Sequence, residues 1–154
     1  MKLTDEQLER FRRSGIRLDK NGHFHHEGEE FRHAGFIAAL WRWLDRNPDG
    51  RYVLRLDADR FVYLEVEDAP HVIRSLRIEG GRARLLLGDG SEEWLLPETL
   101  RVAESGVAYC TVKEGRFDAR LSPDAWAGLA DRIEEREGKA WLLLDGGRYL
   151  LGTV

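Results

Sequence analysis

Residues 23 to 33 read HFHHEGEEFRH and hold four of the five histidines of the chain together with three glutamates. On a strand, His23 and His25 project from one face, and Phe24 and His26 from the other. Two histidines on one face can be two zinc ligands, and Glu27 or His33 could supply the third that zinc requires. Against this, none of the standard ligand spacings is present. The alternative is a half-buried strand whose wet face is rich in histidine.

A second group of candidates lies in EVEDAP, residues 65 to 70. Glu65 and Glu67 share a strand face, and Asp68 begins the turn before Pro70. Paired carboxylates of this kind can do acid/base work or hold a hard cation. They also suit a solvated strand end, with Asp68 bonding the local backbone. No partner base or nucleophile accompanies them. Cys110, in AYCTV, reads as a buried inert thiol. Ser91, Ser105 and Ser122 lie in no nucleophile elbow, and no glycine-rich loop matches a phosphate cradle.

These side chains must be positioned by elements that the pattern announces. Thr4 and Gln7 form a capping box, with Leu3 stapled onto Leu8, so the chain opens with a helix within residues 1–15. Its narrow stripe of Leu8 and Phe11 places it on the surface. IRLD and HFHH follow as strands around Lys20-Asn21-Gly22. HAGFIAALWRWLDRN reads as a helix with Phe36, Ile37, Leu40 and Leu44 on one face, stopped by Asn47-Pro48-Asp49-Gly50. Trp41 and Trp43, about 200° apart, flank that stripe, so one can close the core while the other faces a groove. RYVLRL, RFVYLEV, HVIRSLRI, RARLLLG, EEWLL and VAYCTVK read as strands joined by tight turns, which implies antiparallel pairing. A last helix opens at SPDAW, capped by Ser122 and burying Trp126, Leu129, Ala130 and Ile133. AWLLLDGGRYLLG closes the chain as a hairpin.

The two larger helices have matching surroundings. Gly28 aligns with Gly115, Gly50 with Gly138, Tyr52 with Trp141, and Arg60-Phe61 with Arg148-Tyr149, at an offset that stays between 87 and 89 residues. Glu27-Gly28 is thereby matched by Glu114-Gly115, with Lys113 in the place of His26. The reading is an α+β fold with antiparallel sheets: an N-terminal helix (1–15), a strand-turn-helix-hairpin unit (16–65), connecting strands (66–103) and a second copy of the unit (104–154), all in a single compact domain.

Composition bounds the function. With 42% hydrophobic residues in 154, the chain can bury a core. Its net charge of −4, with the two signs interspersed, gives no basic field for nucleic acid or a membrane surface. A single cysteine excludes an internal disulfide and suits a reducing compartment. The opening residues lack the apolar core of a signal peptide, and no apolar run approaches membrane-spanning length. A cytoplasmic protein is expected.

GIRLDKNGHFHHEG, DGRYVLRLDADRFVYLEVEDAPHV and DGGRYLLG give the chain a resemblance to the bacterial DUF1285 family, a domain of unknown function. The resemblance spans nearly the whole chain after the first helix, and VEDAP and the HEG turn are its most specific parts. It implies a role in signalling or ligand binding and offers no catalytic residues. It also sorts the histidines, since His26 alone stands at a histidine position of the family.

The expectation is a non-catalytic binding or regulatory module without a cofactor, its groove between the two halves. Trp41 and Trp43 would form an apolar wall, and His26, Arg32, Glu65, Glu67 and Asp68 the polar contacts for a small molecule or a protein partner. Two other readings compete with it. One is a metal-dependent hydrolase using His23, His25 and the nearby carboxylates, and the other a homodimer joined through its exposed aromatics.

Overall fold

A computed structural model describes residues 4–153, the side chain of Phe11 excepted. Leu3, half of the expected staple, lies outside them. The chain divides into two compact units, Met1–Asp68 and Ala69–Val154.

In the first unit, Thr4 and Gln7 form the expected capping box for α1 (Asp5–Phe11): Thr4 Oγ1 accepts from Gln7 N, and Gln7 Oε1 accepts from Thr4 N. β1 (Arg13–Leu18) and β2 (Phe24–His26) then form a hairpin. Asp19 Oδ1 stiffens its turn by accepting from Asn21 N and His23 N at 2.9 and 3.0 Å. β3 (Glu29–Glu30), α2 (Ala34–Trp43), β4 (Leu44–Arg46), β5 (Tyr52–Arg55) and β6 (Phe61–Val66) follow, and the six strands form one sheet in the order β3-β2-β1-β6-β5-β4.

Alternation puts Leu18, Phe24, Leu44, Leu54 and Leu64 on the face that meets Leu40 of α2, and these six form the core of the unit. Helix α2 is shorter than its apolar stripe suggests. Leu44 turns extended (ψ 124°) and pairs with Leu54, so its burial serves a strand and not a fourth helical turn. Phe36, placed on the buried stripe by spacing, is 40% exposed.

The second unit begins with β7 (His71–Glu79), β8 (Arg82–Leu87) and β9 (Glu92–Trp94), joined by tight turns as expected. A 3-10 turn (Pro97–Thr99) leads to β10 (Arg101–Val102), β11 (Ala108–Val112) and β12 (Phe117–Leu121). Next come α3 (Pro123–Leu129), capped by Ser122 Oγ, then a second 3-10 turn (Ala130–Arg132) and β13 (Ile133–Arg136). The chain closes with β14 (Lys139–Leu144), β15 (Gly147–Leu150) and β16 (Gly152–Thr153). Seven strands are ordered β16-β10-β11-β12-β7-β8-β9, and β13-β14-β15 form a separate antiparallel sheet.

Two details of the final helix differ from the sequence reading. Ala125 and Leu129 are its buried residues, Trp126 is half-buried, Ala130 is exposed in the 3-10 turn, and Ile133 lies on β13. A Cβ on Gly128 would stand 3.0 Å from the carbonyl of Leu76, so the absence of a side chain lets α3 lie close on β7.

The α+β class holds, but the sheets are mixed. β1 pairs with β6, β12 with β7 and β10 with β16, each in parallel. Tight turns report only on strands adjacent in sequence; these three pairs are separated by other elements, so no turn residue announces them. In both units a hairpin turn precedes a helix, and a three-stranded meander follows it. In the first unit the last strand of the meander, β6, pairs in parallel with β1. In the second, β16, one residue beyond β15, pairs in parallel with β10.

Candidate functional site

The four clustered histidines do four separate things. His25 Nε2 meets Asp19 Oδ2 at 2.8 Å, and His23 Nδ1 meets Glu30 Oε1 at 3.1 Å. Burial would raise the pKa of Asp19, but hydrogen bonds from His23 N, His25 and Asn21 N outweigh it and hold the carboxyl below its ordinary range. His33 caps α2, its Nδ1 accepting from Phe36 N at 3.1 Å. His26 lies against Gly15 and stacks with Phe31. Among the described residues, no group of three His, Cys, Asp or Glu is placed to hold a metal.

From His26 a file of rings runs along the edge of the first unit. The centroids of His26 and Phe31 are 6.2 Å apart, those of Phe31 and Phe36 5.1 Å, and those of Phe36 and Trp43 6.4 Å. His26 and Phe36 are exposed, Phe31 and Trp43 half-buried. Trp41 separates from this group and sits edge-on to the buried Phe24 at 4.7 Å. Trp41 and Trp43 are both half-buried and both pack against the core of the unit; Trp43 in addition meets the exposed Phe36.

Of the remaining expected residues, Arg32 is exposed, next in the chain to Phe31. Glu67 pairs with Arg17 at 2.6 Å. Asp68 is exposed at the end of the unit. Glu65 is exposed and lines a cavity that sequence reasoning missed.

That cavity, of about 380 Å³, lies where β1 bulges against β6: Arg13 faces Tyr63 but Arg17 faces Glu65, four residues of one strand against two of the other. Gly15, at φ 70°, takes the turn that the bulge needs. Ser14 repairs the interrupted ladder, its hydroxyl donating to Tyr63 O at 2.6 Å and accepting from Ile16 N at 3.0 Å. Beside the cavity, Arg51 stacks over the Tyr63 ring, 3.4 Å from its centroid, and donates to Glu9 Oε1 at 2.7 Å. Tyr63 Oη donates to Glu9 Oε2 at 3.0 Å. The hydrogen bond from Arg51 does most to hold Glu9 below the ordinary carboxylate range, and the same contact raises Arg51. The partners stand 42 and 54 residues from Glu9, too far for any local motif to join them.

The second unit holds a different polar cluster. Lys113 Nζ donates to Asp89 Oδ2 at 2.7 Å and to Ser91 Oγ at 2.9 Å, while Lys113 N donates to Glu93 Oε1. Burial would raise the pKa of Asp89, but its bonds to Lys113 and Ser91 bring it below its ordinary value. His71 is buried nearby, which pushes its pKa down to about 4. Cys110 is fully buried on β11, and desolvation pushes its thiol up to about 12, as the inert-thiol reading expected.

A DUF1285 family protein from Silicibacter pomeroyi DSS-3 superposes with a TM-score of 0.75 over 92% of this chain and 81% of its own, at 20% identity. The fold is that of the DUF1285 proteins. A second DUF1285 family protein, from Shewanella baltica OS155, matches at a TM-score of 0.61 over 75% of this chain and 90% of its own, at 17% identity. No family model matches the chain, and no curated protein does. At these identities the DUF1285 likeness carries the fold and assigns no residue a role. No helix among the described residues is long and apolar enough to cross a membrane.

Proposed function

We infer that this chain is a non-catalytic binding or regulatory module whose first unit carries the recognition surface. The observation that supports this is the contiguous file His26–Phe31–Phe36–Trp43, in which His26 and Phe36 are exposed, Phe36 keeping 40% of its surface in water, while the half-buried Phe31 and Trp43 also pack against the core of the unit. Isolated exposed apolar residues are ordinary, whereas contiguous aromatic ones mark contact surfaces. Arg32 and the acidic Glu27, Glu29 and Glu30, all exposed, provide the polar rim.

The two units descend, in this reading, from one duplicated element. The near-constant offset of 87 to 89 residues supports this, as does the shared order of hairpin turn, helix and meander. Glu27-Gly28 and Glu114-Gly115 both take left-handed backbone, and Gly50 and Gly138 do so as well.

A thermal-shift screen against metabolites, nucleotides and peptides, with affinity capture by the wild type and by Phe36→Glu, tests the assignment. The expected result is a ligand or partner that stabilises the wild type and is lost with the variant. No stabilisation and no captured partner would contradict it. A dimer by light scattering that Trp43→Ala dissociates would give the surface to a second copy of the chain.

A further inference from the structure

The contact between Glu9 and the Arg51–Tyr63 pair has the form of a bound carboxylate. One oxygen takes a guanidinium N–H at 2.7 Å, the other takes the tyrosine hydroxyl at 3.0 Å, and the guanidinium carbon itself lies over the Tyr63 ring, 3.4 Å from its centroid. Arg51 and Tyr63 also line the 380 Å³ cavity at the β1–β6 bulge, a volume within the range of small-molecule sites. We propose that this cavity binds a small organic monocarboxylate, whose carboxylate takes the place of Glu9 on Arg51 and Tyr63.

Three observations carry the proposal. Glu9 belongs to the seven-residue α1, whose described side chains are exposed apart from the half-buried Leu8 and Glu9, so the occupant sits on a lightly packed element. The side chains of Glu9 and Arg51 are 39% and 46% exposed, and an ion pair so open to water is exchanged at little cost. The charges then select the ligand. With Glu9 in place, Arg13 and Arg51 are balanced by Glu9 and Glu65; with Glu9 withdrawn, the cavity holds one net positive charge. A monocarboxylate neutralises it, whereas a phosphate dianion would meet Glu65. Tyr63 lines the cavity beside Arg51, whereas Tyr52 and Ile16, also on its lining, pack their side chains against the core of the unit.

Benzoate is a suitable probe and benzamide its uncharged counterpart. Calorimetric titration of the full chain is expected to show benzoate binding, tightened about fivefold by Glu9→Gln, since the competing carboxylate is removed. Arg51→Leu abolishes the binding, and benzamide binds no form of the protein. Tyr63→Phe, which deletes one hydroxyl and keeps the ring, weakens benzoate about tenfold and stands in if Arg51→Leu fails to fold. Absence of benzoate binding to both wild type and Glu9→Gln would overturn the proposal, as would equal binding of benzamide or benzoate affinity unchanged in Tyr63→Phe. None of these substitutions touches Phe36, so this site and the aromatic recognition surface fail separately.

Discussion

Each unit has a hairpin turn before a helix, and the residues beside the two turns, His26 at the end of β2 and Lys113 after β11, have different surroundings. Lys113 is held by Asp89, with Ser91 and Glu93 beside it, all supplied by the β8–β9 hairpin. Its neighbouring strand, β12, is itself paired by β7. His26 lies beside Gly15 and Phe31, opposite Ile16 of β1 and Glu29 of β3, and β3 is two exposed glutamates at the end of its sheet. The second unit thus meets this turn with strands of its own, and the first leaves it in water with a file of aromatic rings. A similar scaffold can carry a stabilising cluster in one place and a recognition surface in the other, because the difference lies in what is added around the turn.

The largest effect should come from testing whether the first unit is packed in its own right. Phe24→Ala removes a side chain 2% exposed and its edge contact with Trp41. It is expected to cost about 3–5 kcal/mol in chemical denaturation. A loss below about 1 kcal/mol would show that the core of this unit contributes little.

The next effect belongs to the second unit. Burial lowers the pKa of His71 from 6.5 to about 4, against the attraction of Asp89 and with help from Lys113 and Arg116. The folded state therefore binds fewer protons than the unfolded one between these values. Stability should be level above pH 6.5 and fall by about 3 kcal/mol as the pH drops toward 4. Denaturation midpoints across that window check the slope, which His71→Gln should flatten.

Comparing the turn residues directly sharpens the contrast. Lys113→Ala strands the half-buried Asp89 and is expected to cost about 1–3 kcal/mol. Asp89 has a lowered folded pKa, so the stability it confers is present above pH 3.8 and is lost as the pH falls through that lower value. His26→Ala, at an exposed ring, should change stability by less than about 0.5 kcal/mol. Equal costs would erase the distinction between the two turns. At the turn glycines, modest effects alike in both units are expected. Gly28→Ala and Gly115→Ala, at φ 88° and 83° with open space around them, should each cost about 1 kcal/mol through backbone strain alone.

Local chemistry made much of this legible in the sequence. The Thr4–Gln7 box, the Ser122 cap and the glycine turns announce themselves within a few residues, and the structure contains each of them. Strand β12 is absent from the sequence reading although FDARL alternates cleanly, with Phe117, Ala119 and Leu121 buried. Leu44 was read as helical because burial on a helix and on the strand after it leave the same apolar letter. What lay beyond reach depends on distant pairing. The parallel β1–β6 contact, its bulge and the meeting of Glu9, Arg51 and Tyr63 join residues 42 to 54 apart, and no turn or periodicity encodes them.

The central claim is that recognition belongs to the exposed rings of the first unit. Its most direct test compares binding of one ligand or partner by the wild type, Phe36→Glu and Leu96→Glu, the last altering an exposed leucine of the second unit. The account predicts that Phe36→Glu loses the bound species while Leu96→Glu retains it, with all three proteins unfolding at similar temperatures. Retention by Phe36→Glu, or loss only with Leu96→Glu, would contradict it.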